Sequence, residues 1–271
     1  MSKARTRSGN VPSTATSFVG RRQQRKEIRD RLASGRLVSL IGPGGVGKTR
    51  LALHVADEMN HLFENGVYLV ELASVSDGGD VPAAVIHALG IADQSNRGAT
   101  AKLIEYLRDR EILLILDNCE HVLPGCVALV SEILRYAPST RILVTTRTSL
   151  TVTEEFLYPV PPLTVPDDAA SVSIESLSQF ESIRLLEERA AAASPGFVLD
   201  AHNAAAAARL CIRLEGIPLA IELAVARMRI LSLDQILERL TDRFGLLTMG
   251  SRSAAPRQQT LRSLVDWSFA L

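Results

Sequence analysis

The segment Leu37-Val38-Ser39-Leu40-Ile41-Gly42-Pro43-Gly44-Gly45-Val46-Gly47-Lys48-Thr49 decides the fold. Its first five residues form an apolar run that predicts a buried β-strand, and its last eight match the pattern G-x-x-x-x-G-K-[ST]. In this pattern the glycines let backbone N–H groups turn inward toward phosphate oxygens. The helical spacing of apolar residues between Lys48 and Met59 predicts a helix directly after the loop. A strand, a glycine-rich loop and a helix in this order predict a P-loop that binds a nucleotide.

The loop and the start of the following helix supply the predicted phosphate contacts. Lys48 is expected to reach the terminal phosphates, and the Thr49 hydroxyl is expected to ligate Mg²⁺. The helix would direct the positive end of its dipole at the same phosphates. The alternative interpretation is a glycine-rich turn that holds no ligand. The residues predicted to bind nucleotide in this segment are Gly42, Gly44, Gly45, Val46, Gly47, Lys48, Thr49 and Arg50.

Two further predicted strands carry polar residues at their carboxyl ends. The apolar run Leu113-Leu114-Ile115-Leu116 ends at Asp117, which is predicted to hold Mg²⁺ together with Thr49. Asn118 stands where many ATPases have a second acid, so Glu120 is the candidate base; its alternative role is a charge at a helix N-terminus. Arg147 follows the third strand and is predicted to sense a γ-phosphate, the alternative being a surface arginine.

The composition predicts a globular α/β protein with about two domains. The chain has 271 residues, of which 46% are hydrophobic and 22% charged. Strands alternating with helices up to about residue 165 predict a parallel sheet covered by helices, which is a P-loop NTPase fold. Only helical patterns follow from about residue 170, so we predict a second, all-α subdomain. The predicted division is a disordered basic arm (1–17), a P-loop nucleotide-binding domain (18–165) and a helical lid (170–250).

Local patterns predict the individual elements. Helices are expected at 22–33, 48–59, 80–89, 99–108, 127–136, 178–193, 201–214, 218–230 and 233–243, and strands at 37–41, 66–72, 112–116, 141–145 and 156–160. The last of these strands is expected at a sheet edge because prolines close it. The alanine-rich segment 204–208 is expected to be a close-packed helix interface.

Charge and cysteine content exclude several classes of protein. The formal net charge is zero, which argues against a dedicated nucleic-acid-binding domain. The basic excess in residues 1–36 indicates a solvated tail and helix face, with contact to DNA phosphates as the alternative. No apolar run approaches the roughly 18 residues that span a bilayer, so no membrane contact is expected. Three cysteines, Cys119, Cys126 and Cys211, cannot all pair and have no metal-ligand spacing, which favours a reducing cytoplasm.

These residues, in this order, resemble the NB-ARC group of STAND ATPases, which includes plant resistance proteins, apoptotic-protease-activating factors and bacterial transcriptional activators. Phe18-Val19-Gly20-Arg21 is similar to the family's N-terminal segment, which implies that Val19, Gly20 and Arg21 contact adenine and ribose. Glu215-Gly216-Ile217-Pro218-Leu219-Ala220 is similar to its Gly-x-Pro motif, which implies that Ile217 and Pro218 lie against adenine. The segment Leu116-Asp117-Asn118-Cys119-Glu120-His121 is most like actinobacterial LuxR-type regulators.

The end of the chain extends the resemblance. Residues 257–268 resemble the opening helix of a winged-helix domain, so residues 255–271 are predicted to be the start of a truncated one. An apolar helix face at this position needs a partner, which suggests a piece of a longer polypeptide.

The resemblance implies an ATP/ADP switch module of a cytoplasmic signalling protein that regulates transcription. ADP with Mg²⁺ would join the two domains, and exchange for ATP would permit self-association; DNA would be bound only by domains outside this chain. With Asn118 in place of an acid, the chain would be a slow ATP hydrolase at most. Two alternatives remain open: a catalytic P-loop ATPase or kinase with its own substrate, and a scaffold that nucleotide stabilises.

Overall fold

The computed structural model describes residues 9–12, 17–92, 98–168 and 174–247, with the backbone alone for residues 241–247. The chain divides into two compact units. The sheet unit comprises Met1–Phe18, Arg22–Gly42 and Lys48–Val160. The helical unit comprises Val19–Arg21, Pro43–Gly47 and Pro161–Leu271. The P-loop motif therefore has its two ends in the sheet unit and its middle in the helical unit.

The sheet unit is built on five parallel strands in the order β2-β3-β4-β1-β5. They are β1 (Leu37–Ile41), β2 (Val67–Glu71), β3 (Leu113–Asp117), β4 (Arg141–Thr146) and β5 (Glu155–Pro159). The register pairs Leu40 with Thr145 and Glu71 with Asp117. Because the carboxyl ends of parallel strands lie at one edge of the sheet, this register places Gly42, Asp117 and Thr145 at the same edge. The strand predicted at an edge is confirmed there, since β5 is the last strand of the sheet and, among the described residues, pairs with β1 alone.

Five helices pack with this sheet: α1 (Arg22–Ser34), α2 (Lys48–Met59), α3 (Val81–Ala88), α4 (Ala99–Leu107) and α5 (Leu123–Tyr136). The first four residues of β3 are completely buried, as expected for a central parallel strand that is apolar on both faces. The α5 helix begins earlier than its predicted start at residue 127, because Pro124 occupies its first turn, where a missing N–H carries no penalty. The predicted parallel α/β fold is confirmed.

A short N-terminal segment lies along the free edge of β2. Gly9 forms a parallel bridge with Val67. The Asn10 side chain donates to the Leu69 carbonyl at 2.9 Å and accepts from the Leu69 N–H at 2.6 Å. The side-chain amide thus imitates a backbone partner for the edge strand. Residues 9–12 fall in the segment that sequence analysis predicts to be a disordered arm.

The helical unit contains α6 (Ile174–Leu177), α7 (Glu181–Ala193), α8 (Ala204–Arg213), α9 (Pro218–Val225) and α10 (Leu233–Leu247). Its core is aliphatic and is centred on fully buried residues such as Ile183, Leu186, Leu210 and Ile221. The alanine-rich segment is a packed interface as predicted, since Ala206, Ala207 and Ala208 are buried on α8. The regular secondary structure in the described part of this unit is helical, which agrees with the predicted fold class.

Gly216 makes the sharp turn between α8 and α9. Its φ of +65° is in the left-handed region, and its N–H donates to the Cys211 carbonyl at 3.1 Å, which closes the end of α8. A Cβ at this position would lie 2.1 Å from the Leu163 carbonyl oxygen, so only glycine fits. Pro218 then begins α9, where its fixed φ suits the first helical turn.

Two predicted segments lie outside the described residues: the winged-helix start at 255–271, and the basic arm apart from residues 9–12 and 17. Among the residues that are described, every helix is too short or too polar to cross a lipid bilayer.

Candidate functional site

The Asp117 cluster, which comprises Thr49, Asp117 and Thr145, lies at the carboxyl edge of the sheet. Thr49 Oγ1 donates to Asp117 Oδ1 at 2.6 Å, and Thr145 Oγ1 donates to the same oxygen at 2.6 Å. Thr145 Oγ1 also accepts from the Asn118 backbone N–H at 3.0 Å. Asn118 has a left-handed φ of +66°, so the chain turns sharply immediately after β3. Two hydroxyls therefore fix the carboxylate at the end of its strand.

This cluster suits Mg²⁺, which prefers hard oxygen ligands and relies on substrate phosphates for part of its coordination. The Thr49 hydroxyl and the Asp117 carboxylate already meet at hydrogen-bond distance, so both could face one ion. Within the described ranges, no group of three or more His, Cys, Asp or Glu side chains offers a cation an all-protein site. The residues predicted to hold Mg²⁺ thus lie together and fit the ion.

Lys48 lies at the same edge, at the start of α2. Its ammonium donates to the Gly42 carbonyl at 2.9 Å, across the two ends of the glycine loop. Burial lowers the pKa of Lys48 below its ordinary value, and the nearby Glu120 carboxylate acts in the opposite direction. A partly buried cation that closes over a phosphate loop is suited to bind the β- and γ-phosphates of a nucleotide.

Glu120 and Arg147 lie beside this edge and form an ion pair. Glu120 is on a single 3₁₀ turn, Cys119–His121, directly after β3, and Arg147 follows β4. Arg147 Nε donates to Glu120 Oε1 at 3.0 Å. Asp117, Glu120 and Arg147, predicted to hold Mg²⁺, to act as the base and to sense a γ-phosphate, all lie near Lys48. The pairing of the last two was not predicted.

The Arg21 cluster, which comprises Arg21, Val46 and Pro161, belongs to the helical unit. Arg21 is 2% exposed, and its Nη2 donates to the carbonyls of Val46 at 2.6 Å and Pro161 at 3.0 Å. Its backbone N–H donates to Glu181 Oε1 at 2.6 Å. Arg21 has a φ of +60°, an uncommon value for a side chain of this size. The guanidinium therefore braces the middle of the P-loop through the Val46 carbonyl.

The middle of the loop is also held by the start of α9. The Leu219 N–H donates to the Gly45 carbonyl at 3.2 Å. A Cβ on Gly47 would lie 3.8 Å from Arg21 Nη2 and 3.9 Å from Pro218 Cγ. Gly45 and Gly47 have φ values of +74° and +95°, which the inward turn of the loop requires. Arg21, the loop and Pro218, which the resemblance assigns to one nucleotide, are thus neighbours within the helical unit.

The remaining predicted residues have mixed surroundings. Val19 and Ile217 are buried in the core of the helical unit. In the sheet unit, Arg50 Nη2 donates to the Ser17 carbonyl at 2.8 Å. Phe18 stacks on His54 with a centroid distance of 4.0 Å. The side chains of Val19 and Ile217 thus contribute to the core of the unit.

Three contributors to the site were missed or left unassigned. Thr145 had a usable signal, since a hydroxyl at the end of the strand next to β3 faces the same edge as Asp117. Glu181 and Pro161 had none, because Pro161 acts through its carbonyl and Glu181 is 160 positions from its partner Arg21.

Cys119 lies two positions after Asp117 in the chain and is a packing residue. It is fully buried, and its thiol lies 3.5 Å from the Leu116 carbonyl, to which it donates. A hydrogen bond with Cys126, together with burial, raises the pKa of the Cys119 thiol far above its ordinary range. The burial and hydrogen bonding of this thiol agree with its interpretation as a packing residue.

Comparison with known proteins identifies one family model that matches this chain and several related sequences. The sequence model of the NB-ARC domain matches residues 21–193. A Mycobacterium tuberculosis protein, named as a candidate HTH-type transcriptional regulator, is 42% identical over 244 residues, covering 90% of this chain and 26% of its own length. The regulatory protein AfsR of Streptomyces coelicolor is 34% identical over 161 residues, covering 49% of this chain and 16% of its own length. The chain thus spans about a quarter or less of these two relatives.

One solved structure supports the fold. It is a STAND protein with a tetratricopeptide repeat sensor from Pyrococcus horikoshii. The TM-score is 0.53 at 14% sequence identity, covering 94% of this chain and 40% of that one. At this identity the likeness concerns the fold alone.

Proposed function

This chain belongs to the NB-ARC domain family, and from that premise we propose that it binds ATP and ADP at its P-loop and acts as a slow nucleotide switch. The observation that carries the proposal is the carboxyl edge of the sheet, where Lys48 closes over the loop and Thr49 meets Asp117 at 2.6 Å. Lys48 would bind the β- and γ-phosphates, and Thr49 and Asp117 would hold Mg²⁺.

The base of the nucleotide is assigned to residues of the helical unit. Arg21 and Pro218 both approach Gly47, and the resemblance implies that residues of these two motifs contact adenine. By the same resemblance, ADP would favour one state of the chain and ATP another, with self-association following exchange.

Hydrolysis is proposed to be slow. Asn118 is a neutral amide and cannot accept the proton of an attacking water, and Glu120 is paired with Arg147. The ion pair with Arg147 stabilises the charged form of the Glu120 carboxylate and makes it a poorer proton acceptor. This supports a switch over the alternative of a catalytic ATPase or kinase with its own substrate.

The output is proposed to be transcriptional regulation in the cytoplasm. The names of two relatives, an HTH-type regulator and a regulatory protein, support this assignment. The LuxR type is the finer proposal, which rests on the likeness of residues 116–121. DNA would be bound by domains outside this chain, since the chain spans about a quarter of the HTH-type relative.

Titration of the chain with ADP and with ATP in the presence of Mg²⁺ tests the proposal. We expect both to bind, Lys48→Ala to weaken binding at least about tenfold because a charge-assisted contact is lost, and turnover to stay far below about 10 per second. Lys102→Ala is the matched control, because that ammonium also donates to a backbone carbonyl, at Ala92. Equal nucleotide affinity in both variants would exclude the P-loop as the site, and fast turnover would favour the catalytic alternative.

A further inference from the structure

The ion pair between Glu120 and Arg147 has one fixed and one exposed partner. The Glu120 side chain is 20% exposed, whereas the Arg147 side chain is 56% exposed. The turn that carries Glu120 is anchored on both sides. Cys119 is fully buried, and His121 Nε2 lies 2.9 Å from the carbonyls of Leu72 and Val75. If the pair opens, the arginine is therefore the partner that moves.

The Glu120 carboxylate is held without being fully satisfied. Its Oε1 accepts from Arg147, while its Oε2 is buried and has no hydrogen-bond partner among the described residues. Among the described residues, the hydrogen bond to this carboxylate comes from Arg147. The same carboxylate acts on Lys48, the cation that closes over the phosphate loop. The ion pair thus belongs electrostatically to the phosphate site.

We propose that Glu120 is a positioning residue that holds Arg147 away from the γ-phosphate, so that the pair sets the preference of the site between ATP and ADP. This rests on the proposed function, because it assumes that nucleotide binds at the P-loop. ADP lacks the γ-phosphate and leaves the pair intact. ATP supplies a competing anion, and Arg147 must leave Glu120 in order to contact it.

Glu120 and the γ-phosphate of ATP would compete for Arg147, and a small free-energy difference would decide between them. An ion pair with one largely exposed partner contributes little to stability. A phosphate offers more charge and more acceptor oxygens to a guanidinium than one carboxylate does. ATP can therefore bind Arg147 at the small cost of breaking its ion pair with Glu120. ADP leaves the pair intact and does not incur that cost.

A simpler explanation must be separated from this one. Glu120 could disfavour ATP by direct repulsion of the γ-phosphate, with Arg147 playing no part. Removing the carboxylate charge would raise ATP affinity under either explanation. The two explanations predict different results when Arg147 is absent. Repulsion between Glu120 and the γ-phosphate would persist, whereas competition between them for Arg147 would disappear.

The test is a double-mutant cycle on the whole chain with Mg²⁺, measuring affinities for ADP and for the non-hydrolysable ATP analogue adenylyl imidodiphosphate by calorimetry. Glu120→Gln should raise the analogue-to-ADP affinity ratio about two- to fivefold by removing the competing charge. Arg147→Ala should lower the ratio at least about tenfold. In the Arg147→Ala background, Glu120→Gln should leave the ratio unchanged.

Glu154→Gln is the matched control, because Glu154 pairs with Arg36 at 2.9 Å before β1, at the end of the sheet opposite the P-loop. It should leave the ratio at the parental value. A gain from Glu120→Gln that persists without Arg147 would overturn the proposal in favour of repulsion, and so would a ratio that neither single change alters. If the parent chain binds neither nucleotide, the proposed function itself fails, which is a distinct result.

Discussion

The Asp117 cluster and the Arg21 cluster hold two parts of one eight-residue motif by different means. In the Asp117 cluster, hydroxyls and a carboxylate meet at the ends of adjacent strands, and every participant is a functional side chain. In the Arg21 cluster, one guanidinium meets two backbone carbonyls that lie 25 and 140 positions away in the sequence. The types of the side chains therefore indicate the Asp117 cluster in the sequence. The Arg21 cluster depends instead on which distant backbone segments the fold brings next to Arg21.

Removing Arg21 should show the largest difference between the clusters. Arg21→Ala leaves the carbonyls of Val46 and Pro161 without their charged donor in a buried setting. We expect the helical unit to lose about 2–4 kcal/mol of unfolding free energy. Denaturant unfolding of the nucleotide-free protein measures this loss.

Arg209→Ala is the control for this change. Arg209 belongs to the same unit, but its pair with Asp234 is exposed at 56% and 72% of the two side chains. An exposed pair should cost less than about 1 kcal/mol. If the two variants unfold alike, Arg21 does not brace the loop and its role must lie with the ligand alone.

The same contrast explains which parts of the fold could be predicted. The β3 strand was predicted to within one residue, because a continuous apolar run between turns permits few alternatives. The turn at Gly216 and the helix start at Pro218 also follow from residues with special backbone angles. In each case the signal that predicts the structure lies in the residues of the element or turn itself.

Three features could not be predicted for a shared physical reason. Asn10 pairs with the edge of β2 through its side-chain amide, Arg21 pairs with carbonyls, and Glu120 pairs with Arg147 across two strand ends. Each contact joins segments whose proximity is decided by packing elsewhere. Sequence analysis gave Glu120 and Arg147 separate roles, because opposite charges 27 positions apart do not indicate a pair.

An intermediate effect is expected in the Asp117 cluster. Thr145→Val keeps the shape of the side chain but removes the donor to Asp117 and the acceptor for the Asn118 N–H. We expect a loss of about 1–2 kcal/mol in stability and a weaker Mg²⁺ dependence of ATP-analogue binding. Thr145→Ser should restore most of both, because it returns the hydroxyl even though it lacks the methyl group.

Thr140→Val serves as the control for that prediction. Thr140 is fully buried, but its hydroxyl has no hydrogen-bond partner among the described residues. Replacing it with a methyl group should be neutral or stabilising, because no bond is lost. Equal losses at Thr140 and Thr145 would mean that the measured cost reflects hydroxyl removal in general and not the fixing of Asp117.

The smallest expected effect concerns the base of the nucleotide. Pro218→Ala removes ring atoms that lie near Gly47 at the start of α9. If adenine packs on this ring, ADP should bind about 1 kcal/mol more weakly, as expected for losing part of one apolar contact. Pyrophosphate has no base, so its affinity should not change. Competition titrations with both ligands measure the two effects on one protein sample.

The control for Pro218 separates the ligand contact from the loss of a helix-starting proline. Pro124 occupies the first turn of α5 in the sheet unit, so Pro124→Ala changes the backbone in the same way. Both variants should lose a similar, small amount of stability without nucleotide, but only Pro218→Ala should weaken ADP binding. Should pyrophosphate and ADP weaken together at Pro218, the residue acts by holding Gly45 through the neighbouring Leu219 N–H, and adenine lies elsewhere. In that outcome α9 would stabilise the loop through a backbone carbonyl, as Arg21 does through the carbonyl of Val46.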